Sequence, residues 1–158
     1  MTVIAGYTNG EDYAIAADSI VTEGDYWYLD GPKVWRRGPF LIGAAGSYRE
    51  CVTASQCPSG EPEALCEFME ENVKKKSDFV LLVVARGNIW VIDRDFIPVV
   101  HDHWWAIGTG APAALGALYY SYRFESLEPE YVVHRAVDAA IALHVSVRGP
   151  VVVLSNET

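Results

Sequence analysis

Two residues at the start of this chain have the types and the spacing to do chemistry together. Removal of Met1 would make Thr2 the first residue, with a hydroxyl nucleophile and a free α-amine on one carbon skeleton. An α-amine titrates at about pH 7.7–8.0, so it can act as a general base near neutrality. An N-terminal threonine is one established way of activating a weak hydroxyl nucleophile. Asp18 is the other residue: an acid which, brought beside a cation, could tune that amine. The plain structural alternatives are a chain that merely begins Met-Thr and a strand-end turn aspartate.

The segment between them must do the positioning. Thr2 to Tyr7 is a short apolar, partly β-branched run, and Asn9-Gly10 is a two-residue turn signal. Tyr13 to Ala17 is a second apolar run that stops at Asp18. The expectation is a β-hairpin that returns Asp18 to the side of Thr2. Both strands are apolar on both faces, which places them in a covered sheet.

Downstream, Ser19 to Pro32 reads as a loop carrying Tyr26-Trp27-Tyr28, and Lys33-Val34-Trp35-Arg36 as a strand. Phe40 to Ala45 is a further strand, with small residues at its end that permit close backbone approach. Ser47 and Glu50 form a capping-box pattern, so a helix should start at Ser47, with Pro58 and Gly60 ending it. A second helix begins near Pro62 with Leu65, Phe68, Met69 and Val73 on one face, and Lys74-Lys75-Lys76 closes it as a solvated end. Phe79–Ala85, Ile89–Ile92 and Trp104–Ile107 follow as strands. A helix then opens at Ala111-Pro112 and carries Leu115, Leu118, Tyr119 and Tyr122. The last helix starts at Glu128-Pro129, carries Val133, Ala136, Val137 and Ala140, and ends near His144; Val151–Leu154 is the final strand. This order gives a single α/β domain over residues 1–158: a four-layer αββα sandwich of two stacked, largely antiparallel sheets with helices outside.

Composition narrows the functional classes. With 158 residues and 51% hydrophobic content the chain can bury a substantial core. A net charge of −9 argues against nucleic acid, whose phosphates it would repel. No apolar run approaches the roughly 20 residues of a membrane helix, and no secretory signal is visible, so a cytoplasmic location without membrane contact is expected. Cys51, Cys57 and Cys66 have no C-x-x-C spacing and read as reduced structural thiols. His101-Asp102-His103 places two imidazoles on one side of an extended segment, short of the three or four ligands a metal site uses; no metal or cofactor is expected.

The order Thr2, Asp18, Lys33-Val34, Ala45-Gly46 and Ile107-Gly108-Thr109-Gly110 resembles that of proteasome β-type subunits. The resemblance is nearest to the bacterial proteasome-related peptidase that pairs with an ATP-dependent unfoldase, and it covers nearly the whole chain. It implies the fold of an N-terminal-nucleophile hydrolase and a threonine endopeptidase that assembles into rings of six or seven around a polypeptide substrate. It implies that Thr2 is the nucleophile and that Lys33 stabilises its alkoxide. Asp18 would hold Lys33, the Gly46 N–H would supply the oxyanion hole, and Thr109 would support the amine. Val21, Gly31, Ala44 and Tyr48 would line a pocket for the substrate side chain. The chain departs from the family in three places. Thr109 replaces a serine, Ile20 follows Ser19 where Arg or Gln is usual, and His144 and Val147 stand near the positions of an Asp and a Ser that orient the amine in core β subunits. Two other readings fit the residues. One is an inactive relative that keeps only ring formation or partner binding; the other is an N-terminal-nucleophile amidase acting on a small molecule.

Overall fold

The computed structural model describes residues 2–19, 21–23, 26–28, 33–144 and 146–157. Strands β1 (Ile4–Thr8) and β2 (Tyr13–Ala17) form the expected antiparallel hairpin, in register from Ile4↔Ala17 to Thr8↔Tyr13, and every residue in both is buried. The turn is longer than the two residues that Asn9-Gly10 suggests. Asn9 Oδ1 accepts from the N–H groups of Glu11 (3.0 Å) and Asp12 (2.8 Å), and the Asn9 N–H donates to the Asp12 carbonyl (3.0 Å), which makes residues 9–12 one closed loop. The Asn9 side chain does what the second turn residue would otherwise do.

The segment read as a loop after Ser19 contains a ribbon, β3 (Val21–Glu23) paired antiparallel with β4 (Tyr26–Tyr28). The β-branched and aromatic residues there have strand propensity that their polar neighbours obscure. Strands β5 (Val34–Arg37) and β6 (Phe40–Gly46) follow, then helices α1 (Tyr48–Ser55) and α2 (Pro62–Asn72). Ser47 is the N-cap of α1, but its side chain makes no capping bond, so the Ser47–Glu50 box does not form. The helix ends at Ser55, before Pro58 is reached. Helix α2 stops at Asn72, so Lys74 to Lys76 lie beyond it and are exposed.

Strands β7 (Phe79–Ala85), β8 (Asn88–Asp93), β9 (Val99–His101) and β10 (Trp104–Ile107) come next. The three-residue β9 gives no periodic signal in the sequence; it is an edge strand. Helices α3 (Ala111–Phe124) and α4 (Pro129–Leu143) and strand β11 (Val152–Ser155) complete the chain. On α3, Ala114, Leu118 and Ser121 are buried, and Tyr119 and Tyr122 are exposed.

One sheet has the order β10-β1-β2-β11 and the other β5-β6-β7-β8-β9, with every pairing antiparallel. Ile4, Ile15, Leu41, Leu82 and Ile89 pack between the sheets, fully buried; each such side chain contributes roughly 1.5–3 kcal/mol. Helices α3 and α4 cover the first sheet through Leu118, Val133, Ala136 and Val137, and α1 and α2 cover the second through Ala54, Leu65 and Met69. The architecture is the four-layer αββα sandwich that the order of elements implies.

Candidate active site

Thr2 precedes β1 at the end of the first sheet, between two neighbours that the register supplies. On one side, the Asp18 N–H donates to the Val3 carbonyl (3.2 Å), which continues the hairpin pairing one residue past Ile4↔Ala17. On the other, β10 pairs Ile107 with Ile4, and the chain then turns through Gly108-Thr109-Gly110 back over Thr2. The Gly110 N–H donates to the Thr2 carbonyl (3.2 Å), and the Thr2 main-chain N–H donates to Thr109 Oγ1 (3.3 Å). Gly108 has φ +94°, and a Cβ there would land on the Thr2 carbonyl, so only glycine lets the loop close this tightly.

Asp18 is 1% exposed and its carboxylate faces the start of β1. Its Oδ1 accepts from the Val3 N–H (3.0 Å) and from Lys33 Nζ (2.9 Å), while Oδ2 is buried and has no partner among the described residues. Lys33 precedes β5 and is itself 9% exposed. Burial pulls the Lys33 ammonium below the usual lysine range, and the Asp18 charge and hydrogen bond work against that pull. One carboxylate oxygen therefore ties the lysine of the second sheet to the residue next to Thr2 in the first. Charge-assisted bonds of this kind are about twice as strong as neutral ones.

Lys33 and Ala44 stand opposite each other, one position beyond Val34↔Gly43, and the Ala44 N–H donates to the Lys33 carbonyl (3.0 Å). Two residues on, Gly46 ends β6 with φ +115°, and the Ser47 N–H donates to the Asp78 carbonyl (2.9 Å). A Cβ on Gly46 would stand 2.5 Å from the Asp78 oxygen and 2.7 Å from Phe79 Cα. The tight approach of β7 thus requires glycine, and the turn aims the chain into the N-terminus of α1, where unpaired N–H groups favour negative charge. Of the residues that the resemblance assigns to a substrate pocket, Ala44 is buried against α1 and α2, and Tyr48, the first residue of α1, is 55% exposed beside the Gly46 turn. Val21 lies in β3, and Gly31 lies outside the described residues.

The chain after α4 lines the other flank. The Ser19 N–H donates to the Arg148 carbonyl (3.3 Å), and Ser19 Oγ donates to the Pro150 carbonyl. Val147 packs in one cluster with Val3, and Ser146 Oγ stands 2.7 Å from His144 Nδ1. His144 and Val147, near which the resemblance places an Asp and a Ser of core β subunits, make a hydrogen bond to Ser146 and an apolar contact respectively. Cys51 was not foreseen as a neighbour of the site. Its thiol is pushed up to about 11, chiefly by burial, with the charge of Lys33 acting in the opposite direction. Its place one turn after Ser47, on the helix that Gly46 launches, was the available signal. His101 and His103 lie elsewhere, stacked on Trp105 (3.9 Å) and Tyr122 (5.2 Å) respectively. Among the described residues, no helix is long and apolar enough to cross a membrane.

No protein-family model and no curated protein matches the chain. Solved structures do match it. HslV from Trypanosoma brucei superposes with a TM-score of 0.82 at 20% identity, covering 98% of each chain. Thiobacillus denitrificans BPH in complex with epoxomicin gives 0.81 at 20% identity, covering 98% of this chain and 97% of that one. A second structure of Thiobacillus denitrificans BPH gives 0.78 at 22% identity over the same shares. At these identities the likeness is one of fold, and it is the fold that the sequence resemblance implies.

Proposed function

We propose that the chain is a threonine-type endopeptidase subunit whose nucleophile is Thr2, freed by removal of Met1. The observation that carries this reading is the Asp18 Oδ1 that holds both the Val3 N–H and Lys33 Nζ. It secures a cation next to a residue whose own amine becomes a base once exposed. In this reading the α-amine takes the Thr2 hydroxyl proton as Oγ attacks the substrate carbonyl carbon. The carbonyl electron pair moves onto oxygen, and the Gly46 N–H at the start of α1 stabilises that oxyanion. Collapse expels the peptide amine, which receives the proton from the ammonium, and leaves an ester on Thr2. Water, deprotonated by the same amine, hydrolyses the ester. Lys33 lowers the energy of the alkoxide throughout, and Thr109 Oγ1 orients the amine through the contact it already makes with the Thr2 nitrogen.

The structural likeness to HslV and to BPH supports a peptide substrate and assembly into rings; rings of six or seven, an ATP-dependent unfoldase as partner and a cytoplasmic location are part of the reading that the sequence resemblance implies. Neither nucleic acid nor membrane belongs to this reading. Ala44, Tyr48, Val21 and Gly31 would form the pocket for the substrate side chain.

The test has three parts. The intact mass should lack one methionine. An epoxyketone, which needs both a hydroxyl and a free amine on one residue to be attacked at two carbons, should label Thr2. Thr2→Ala should lose turnover of unfolded casein. Undiminished hydrolysis by Thr2→Ala overturns the proposal. The inactive-relative reading has one observation in its favour, the replacement of the orienting Asp and Ser by His144 and Val147. Casein turnover together with complete loss of Met1 would exclude it. A monomer that hydrolyses small amides and leaves casein intact would favour the amidase reading.

A further inference from the structure

Two buried polar side-chain atoms have no hydrogen-bond partner among the described residues: Asp18 Oδ2 and the indole Nε1 of Trp35. The first belongs to the ion pair already described. The second has no part in the proposed mechanism. Trp35 is 9% exposed and lies in β5, where it pairs with Ile42. A buried N–H without an acceptor is destabilising, and folded proteins keep few of them.

The place of Trp35 says what acceptor it could meet. Side chains two residues apart on a strand share a face, roughly 7 Å from each other, so the Trp35 ring follows Lys33 along β5. That face is the one covered by α1 and α2. Trp35, Ala44 and Ala54 belong to one buried cluster, and Cys51, which packs against it, feels the charge of Lys33. Ala44 stands opposite Lys33, which makes Trp35 its diagonal neighbour across the β5–β6 pair, within reach for an aromatic side chain. Gly46 lies two residues beyond Ala44 on β6. A substrate whose carbonyl oxygen sits at the Gly46 N–H therefore has its side chain beside Ala44, and past that small methyl stands the indole.

We propose that Trp35 selects the substrate: its indole N–H donates to an uncharged, acceptor-bearing side chain, glutamine being the type, on the residue whose carbonyl is attacked. The proposal rests on the peptidase reading above. Nε1 is out of contact with solvent in the free protein, so the acceptor must arrive on a group with binding energy of its own, which a peptide docked at Gly46 has. The acceptor is uncharged because Glu50 and Asp78 already set negative charge beside Cys51 on this face. Leucine fills similar space and leaves the donor unpaired. Sites that hydrogen-bond a substrate group discriminate strongly against the analogue lacking it.

The test is selectivity. Two fluorogenic peptides that differ only in glutamine or leucine before the scissile bond are compared on the wild type and on Trp35→Phe, which keeps a packing ring and removes the N–H. Far-UV circular dichroism confirms folding. The wild type should favour glutamine in kcat/KM by about tenfold. The variant should lose that preference while cleaving the leucine peptide within about threefold of the wild-type rate. A ratio that does not move, or a loss shared equally by both peptides, overturns the proposal. A second measurement needs no turnover. In the Thr2→Ala chain with isotope-labelled tryptophan, the Trp35 indole N–H resonance, one of five, is assigned by nuclear magnetic resonance through Ile42, its cross-strand partner. A saturating peptide acid that ends in glutamine should move it downfield, and the leucine counterpart should not. An unmoved resonance overturns the proposal even where the wild type degrades casein, and the peptidase reading then stands. A shifted resonance in a chain that cleaves no peptide upholds the recognition of glutamine and removes the peptidase reading.

Discussion

Lys33 Nζ lies 2.9 Å from Asp18 Oδ1, with both side chains almost wholly out of contact with water. The pair bridges two sheets. Asp18 extends the register of the first and Lys33 immediately precedes β5, an edge strand of the second, so the ion pair fixes the lysine relative to Thr2 as well as neutralising two buried charges.

Removing one partner should therefore be costly. Lys33→Met leaves a buried carboxylate with only the Val3 N–H as donor. The expected loss is about 3–5 kcal/mol, the range for breaking a buried pair. Asp18→Asn keeps an acceptor for both donors and should cost less. Urea unfolding midpoints compared at unchanged m-value check the order of the two variants.

The pH dependence has a definite sign. Burial lowers the Lys33 pKa, so between its folded value and the ordinary lysine value the unfolded chain binds more protons than the folded one. Stability contributed by this group rises with pH across that window, and below it the folded state bears the full cost of the buried charge. The proposed peptidase activity should follow a bell-shaped profile instead. It should climb as the α-amine loses its proton at about pH 7.7–8.0 and decline when Lys33 deprotonates, earlier than an unperturbed lysine would. Lys33→Arg should remove the alkaline decline from the measurable range. A pH profile of kcat with a fluorogenic peptide reads both limbs.

Gly46→Ala should fail at two levels. The new Cβ would meet the Asp78 oxygen at 2.5 Å, with a φ of +115° that alanine tolerates poorly. Such backbone strain costs about 1–3 kcal/mol. Displacing the Gly46 N–H, the oxyanion donor of the proposed mechanism, should reduce kcat by about 10²–10³. Folding at reduced temperature separates the two effects, since the rate defect should remain in the fraction that folds.

Cys51 tests which nucleophile operates. Its thiol, pushed up to about 11, is almost entirely protonated at neutral pH. Iodoacetamide should alkylate it in the native protein at least about tenfold more slowly than in urea, because the thiolate is the reactive form. Cys51→Ser should keep peptidase activity within about threefold. Loss of activity in that variant would move the chemistry away from Thr2.

Much of the fold is legible from local pattern. The hairpin to Asp18, the strand after Lys33, the two pairs of helices and the last strand follow from periodicity, proline placement and apolar runs. The errors fall where a side chain competes with a local rule. Asn9 widened a turn that Asn-Gly should have kept at two residues. Ser47 occupied the capping position without capping. On α3 the buried positions are Ala114, Leu118 and Ser121, which the apolar pattern alone does not single out because Ala and Ser are small and Ser is polar.

By itself the sequence determined which residues have chemistry to offer and which strands carry them: Thr2 and Asp18 on one hairpin, Lys33 beside a strand, and glycines where helices begin. Contacts between elements far apart in the chain were decided only in three dimensions. That Asp18 shares one oxygen between Val3 and Lys33, that Thr109 reaches the Thr2 nitrogen, and that Cys51 feels the charge of Lys33 all depend on how the two sheets and the helix after Gly46 are set against one another. Periodicity reports which face of an element is buried. It carries no information on which buried face meets which other, because burial is satisfied by any apolar neighbour, whereas a hydrogen bond of about 3 Å is satisfied only by one.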